Sequence, residues 1–151
     1  LLVFKIYVYT HIMKANELCN CFILRKGASK LTSIYDKALS SAGVRVTQYA
    51  LLKYIYLLKS PNLNQLAAAS NQNRSTLGRN IRILERMKLV SLNAGKDKRE
   101  IEIILTEYGL NTLHKARKAW EVTQKTISSK LSKEKQQQLI ELMNDIEAIS
   151  L

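Results

Sequence analysis

Ser75, Arg79, Arg82 and Arg86 recur at helical intervals of four, three and four residues, which places them on one face of an α-helix. Leu77, Ile81 and Leu84 form a second stripe, offset by two residues, or roughly 200° around the axis. One face is therefore suited to burial and the opposite face is almost purely cationic. Arg74, Thr76 and Asn80 flank the cationic stripe. Guanidinium, amide and hydroxyl groups in this array can hydrogen-bond phosphate oxygens and base edges. Arg bridges guanine N7 and O6, and Asn pairs with adenine. The same stripe would also suit a solvated face of an ordinary amphipathic helix. Gly78 is expected on the outward face, where it costs about 1 kcal/mol of helix propensity relative to Ala. Close approach to a nucleic-acid backbone would account for it, as would drift.

The charge distribution favours a polyanionic partner. The chain carries 24 Lys and Arg against 12 Asp and Glu, a net charge of +12. Between Arg74 and Arg99 eight basic residues stand against Glu85 and Asp97, a net +6 and half of the total excess. A focused patch of this kind points to nucleic acid rather than to a generally basic surface. Part of it falls in Gly95-Lys96-Asp97-Lys98-Arg99, between two runs of alternating apolar residues. Val90 and Leu92 mark the first run, and Ile101, Ile103 and Leu105 the second, the pattern of a β-hairpin with a basic tip. Such a tip can lie in the minor groove, where negative potential draws Arg. Asp97, which would repel phosphate if bare, is assigned to holding Arg99. A solvated turn is the plainer alternative.

These parts require a scaffold, and the rest of the chain supplies helices. Five glycines and one proline leave few places for sharp turns. A first helix is expected over about 17–40, with Cys21, Leu24, Ala28, Leu31, Tyr35 and Ala38 on one face. Thr47 is expected to cap a second helix through Leu58, ended at Ser60-Pro61. A short third helix spans 63–69, and Asn73 is expected to cap the fourth, which runs to about Met87. After the hairpin, Thr106 and Ser132 begin two further helices. The expected fold is mainly α with a small β-hairpin, a winged helix-turn-helix in the order α-α-α-α-β-β-α-α. A short helix, a tight turn and a second helix entering the major groove form its reading unit.

The stretch Leu66-Ala67 … Asn73-Arg-Ser-Thr-Leu77 … Arg79 … Leu84 … Leu89-Val90 … Asp97-Lys-Arg99 … Leu105-Thr106-x-x-Gly109 resembles the MarR family across roughly residues 17–150. The Asp-x-Arg hairpin followed by Leu-Thr-x-x-Gly is the more specific part. The resemblance implies a homodimer that binds pseudo-palindromic double-stranded DNA, usually as a repressor. It implies a DNA-binding lobe at 46–106 and dimerisation helices at 17–42 and 107–150, within a single domain over 13–151. The expected DNA-binding residues are Arg74, Ser75, Thr76, Arg79, Asn80, Arg82, Arg86, Lys96, Asp97, Lys98 and Arg99. The family usually has Gly where Lys88 stands. Lys in a left-handed cap is strained, so a different exit from the fourth helix is expected there. The last two helices also carry more apolar residues than one small core needs. The alternative is that Leu139, Leu142 and Ile146 pack within the monomer.

Two kinds of switch are consistent with the sequence. Cys21-Phe22-Ile23-Leu24 and Tyr35 resemble the organic-peroxide-sensing branch of the family, the OhrR type, in which the matching cysteine is reactive. Cys21 and Tyr35 lie about 21 Å apart along one helix, so they could meet only between antiparallel copies of it. Arg25 stands where that branch has a second tyrosine. A buried, inert thiol is the competing reading. The other switch is a small aromatic or lipophilic ligand lined by Tyr49, Tyr54 and Trp120, together with Tyr35, although aromatics at helical spacing are more often core.

Several classes are disfavoured. There is no Gly-rich phosphate loop, one-face carboxylate pair or Cys-His or Ser-His arrangement, so no enzyme and no cofactor are expected. His11 and His114 form no ligand cluster, so no metal is expected. Cys19 and Cys21, two apart on a helix, would bridge only under strain, and a reducing cytoplasm is expected. No apolar run reaches membrane-spanning length. The apolar, aromatic stretch 1–12 precedes Met13 and is expected to be a non-native leader or a disordered extension, with Met13 the start; a signal peptide is the alternative, although Lys5 interrupts the apolar run. The remaining alternative is a nonspecific or architectural DNA binder without a switch.

Overall fold

The computed structural model describes residues 19–94 and 101–150. The chain divides into two units, Leu1–Ile34 and Tyr35–Leu151. Among the described residues, six α-helices and one hairpin follow in order. They are α1 (Asn20–Leu39), a short 3-10 turn (Ser40–Ala42), α2 (Val46–Leu58), α3 (Leu63–Ser70), α4 (Arg74–Arg86), β1 (Val90–Ala94), β2 (Ile101–Leu105), α5 (Glu107–Lys130) and α6 (Lys133–Glu147). The fold is a winged helix-turn-helix in the expected order. No described helix is long and apolar enough to cross a membrane.

The core is aliphatic. Leu39, Leu51, Leu52, Ile55, Leu66, Leu77, Leu84, Leu89 and Ile103 are all buried. It draws on the end of α1 and on α2, α3, α4, the hairpin and α5. Burial of this apolar surface supplies the main driving force, about 25 cal/mol per Å². The core thereby fixes α4 by its Leu77, Ile81 and Leu84 stripe.

Helix starts follow local chemistry except at α2. At α3, Asn62 and Gln65 cap each other: each side-chain oxygen accepts the other's backbone N–H at 2.9 Å. At α4, Asn73 Oδ1 accepts from Ser75 N–H at 2.9 Å, as its residue type suggests. At α2 the expected cap, Thr47, lies inside the helix, and Arg45 occupies the capping position. The capping oxygens come from elsewhere. Asp36 Oδ1 accepts the Val46 N–H at 2.7 Å, and Gln48 Oε1 accepts the Arg45 N–H at 2.8 Å. A carboxylate ten residues upstream has taken the role that a local hydroxyl could have filled.

The hairpin is antiparallel, with Val90 opposite Leu105 and Ala94 opposite Ile101. The Ile103 N–H donates to the Pro61 carbonyl at 2.9 Å, which anchors β2 to the start of α3. The hairpin is thus held against the same lobe that presents α4.

The first helix departs from expectation at both cysteines. Cys19 stands outside α1, and its carbonyl accepts from Phe22 and Ile23 N–H at 2.9 and 3.2 Å. Cys19 thus stands at the cap of α1 rather than within it, two residues before Cys21. Both cysteines are free and exposed in the single chain, so Cys21 is not part of its core.

Candidate nucleic-acid interface

The cationic stripe of α4 is open to solvent. Arg74, Ser75, Thr76, Arg79, Arg82 and Arg86 are all exposed, and Asn80 is half-buried. The opposite stripe, Leu77, Ile81 and Leu84, is at most 3% exposed. Two contacts order the stripe: Arg79 Nη2 donates to Ser75 Oγ at 3.4 Å, and Arg82 Nη1 donates to Glu85 Oε2 at 3.0 Å. The Arg82–Glu85 pair is largely solvated and adds little stability. It does orient one guanidinium and neutralise part of its charge.

The C-terminal exit of α4 takes the left-handed path after all. Lys88 has φ 60°, in the region where an L side chain crowds its own backbone. Its N–H donates to Glu85 O at 2.8 Å, and the Leu89 N–H donates to Leu84 O at 2.9 Å. This pair of bonds is a Schellman motif, and the accompanying apolar contact is between Leu84 and Leu89, both in the core. The expectation of a different exit underestimated this reward: two satisfied carbonyls and a buried Leu89 outweigh about 1–2 kcal/mol of left-handed strain.

The Leu-Thr-x-x-Gly segment locks that exit in place. Thr106 Oγ1 donates to Lys88 O at 2.7 Å and accepts the Gly109 N–H at 2.9 Å. One hydroxyl therefore caps α5 and ties it to the residue leaving α4. The Thr106 N–H donates to Leu89 O at 3.1 Å.

Gly78 is half-buried and borders a hollow with Arg74 and Arg82. A Cβ at this position would lie 3.9 Å from Leu63 Cδ2, an ordinary packing distance against α3.

The surface beside α4 contains residues that the sequence did not assign to the interface. Arg45, which caps α2, and Thr47, Gln48 and Leu51 of α2 line a groove with Asn80 and Ile83 of α4. Ile83, 36% exposed, also borders the surface made by Arg79, Arg82 and Arg86. The signal for Ile83 was its position between two arginines, off the core stripe. Arg45 carried no signal beyond its charge.

Lys96, Asp97, Lys98 and Arg99 lie outside the described residues. Of the aromatic candidates, the structure brings Tyr49 and Trp120 together, with ring centroids 6.0 Å apart. Lys53 Nζ sits 5.5 Å above the Trp120 ring, a cation–π contact. Tyr54 is 37% exposed, on another part of α2. The Tyr35 hydroxyl donates to Gln124 Oε1, tying the end of α1 to α5. Burial raises the Tyr35 and Tyr49 phenols above their ordinary value. His114 packs edge-on against Tyr56, and no group of three potential metal ligands occurs among the described residues.

No protein-family model and no curated protein sequence matches the chain. Solved structures do. The M. tuberculosis transcriptional regulator MosR, solved in complex with DNA, is 32% identical, with a TM-score of 0.76 over 89% of this chain and 100% of its own. The S. aureus MepR–DNA complex is 22% identical, with a TM-score of 0.75 over 87% of this chain and 98% of its own. A single-residue mutant of E. coli MarR, complexed with operator DNA, is 16% identical, with a TM-score of 0.74 over 82% of this chain and 90% of its own. The last two share the fold. With the MosR identity, the exposed cationic α4 and the Thr106–Gly109 lock beside it, the chain belongs to the MarR family of winged helix-turn-helix transcriptional regulators.

Proposed function

We propose that this protein is a sequence-specific regulator that binds double-stranded DNA as a homodimer on a pseudo-palindromic operator. Its action is that of a repressor released by an effector. The observation that carries the reading is the two-faced α4, with Leu77, Ile81 and Leu84 buried and its arginines exposed on the other side. Ser75, Thr76, Arg79 and Asn80 on that helix read base edges in the major groove, and Arg74, Arg82 and Arg86 grip flanking phosphates. The basic tip at 96–99 takes the minor groove. The DNA complexes of MosR and MepR support the same partner for this chain.

Two copies supply two reading helices, about 34 Å apart on one side of the duplex. The apolar residues of α6 support pairing, because the helix buries none of its residues, and Leu139, Ile140, Leu142 and Ile146 are exposed. Release follows either a small aromatic or lipophilic ligand that separates Tyr49 from Trp120, or oxidation of the exposed Cys21. A strained or displaced α5 would act on α4 through Thr106.

The test is footprinting on the DNA flanking the protein's own gene, across a salt series and with organic hydroperoxide. Protection of a twofold site, with random DNA bound far more weakly, is expected. Equal affinity for all duplexes at every salt concentration would instead indicate phosphate-only binding. Release by peroxide in the native protein but not in Cys21→Ser supports the thiol switch. Equal release in both eliminates it.

A further inference from the structure

We propose that the DNA-facing surface continues from α4 onto the first turn of α2, where Arg45 and Thr47 hold one backbone phosphate of the duplex. The proposal rests on the DNA-binding reading above and adds a contact outside the reading helix.

Continuity of surface is the first observation. Arg45 and Thr47 share a groove with Asn80 and Ile83, and Ile83 also borders the surface of Arg79, Arg82 and Arg86. A strand whose bases meet Asn80 must carry its backbone across one edge of α4, and this groove lies along such an edge.

The second observation concerns Thr47. Asp36 and Gln48 provide the capping oxygens at the start of α2. Thr47 is left exposed, and its hydroxyl has no hydrogen-bond partner among the described residues. A hydroxyl not engaged in capping is available to donate to a phosphate oxygen.

The third observation is the state of Arg45. Its side chain is exposed and forms no ion pair with a described residue, whereas Arg82 is paired with Glu85. The Asp36 carboxylate borders a second hollow that Arg45 and Gln48 also line, but it accepts the Val46 N–H and makes no ion pair with the guanidinium. A guanidinium and a hydroxyl two residues apart match one phosphate, through one charge-assisted and one neutral hydrogen bond. Such a contact fixes register on the duplex and carries no sequence information.

The experiment measures binding of the full chain by fluorescence anisotropy to two duplexes, one carrying its selected site and one random, at several salt concentrations. Arg45→Ala is expected to weaken binding to both by about tenfold. It should leave their ratio unchanged and make the slope of log affinity against log salt shallower by about 1.8, one phosphate being lost from each of the two copies. Arg45→Lys should keep the wild-type slope. Thr47→Val should weaken both duplexes without changing the slope. An Arg45→Ala protein with wild-type affinity and slope overturns the proposal, and so does one that changes the ratio between duplexes. If Arg45→Ala melts at a lower temperature, Arg45→Gln decides in its place: a shallower slope supports the proposal and a wild-type slope overturns it. Failure of the wild type to bind either duplex would instead overturn the DNA-binding reading itself.

Discussion

Gly109 packs so closely on Leu89 that a Cβ added to it would fall 1.9 Å from the Leu89 carbonyl oxygen. This approach brings the first turn of α5 against the segment leaving α4, where Thr106 Oγ1 bonds Lys88 O at 2.7 Å. The contact is backbone on backbone, so no side-chain rearrangement can relieve an added methyl group. Gly109→Ala is expected to lower stability by about 3 kcal/mol and shift the hairpin relative to α4. Thermal unfolding together with DNA affinity checks this, with both falling. An unchanged melting temperature would show that the approach is looser than described.

Lys88 offers a change of opposite sign. Its side chain is exposed while its backbone is held at φ 60° by the Schellman bonds. Glycine adopts that conformation without the Cβ clash, offset in part by the greater freedom of the unfolded chain. Lys88→Gly is expected to stabilise by about 1 kcal/mol, raising the melting temperature by a few degrees. A drop would mean that the lysine side chain makes a stabilising contact that outweighs the strain.

Alkali is expected to destabilise the fold through Tyr49. Burial raises its phenol, with Arg117 opposing and Glu121 adding to the effect. The unfolded phenol ionises first, near its ordinary value of about 10, so the stabilising contribution is complete below that pH and is lost as pH rises through the folded value. Melting temperatures between pH 9 and 11 should fall less steeply for Tyr49→Phe than for the native chain. Identical slopes would place the alkaline loss elsewhere.

Much of the fold was legible because its signals are local. Asn73 carries its own cap, the two stripes of α4 lie within thirteen residues, and Thr106 sits at the start of the helix it caps. What stayed hidden depends on distant partners. The oxygen that caps α2 belongs to Asp36 in another helix, and the neighbour of Gly78 is Leu63 in α3. Neither distance is encoded in spacing along the chain. The left-handed Lys88 was misjudged for a related reason: its strain is a property of one residue, whereas its compensation comes from Leu84, Leu89 and Thr106 together. Within the interface, charge and periodicity found the arginines of α4. Arg45 and Thr47 became visible only once α2 was packed beside Asn80.

Selection of binding sites from a pool of randomised duplexes tests the central claim most directly, using the native chain and Arg79→Ala in parallel. Enrichment of a twofold sequence with half-sites about one helical turn apart is predicted for the native chain, with preference relaxed at a guanine position for Arg79→Ala. A pool that stays random after repeated rounds, or an Arg79→Ala protein that selects the same sequence with the same stringency, would contradict the assignment of α4 as the element that reads DNA.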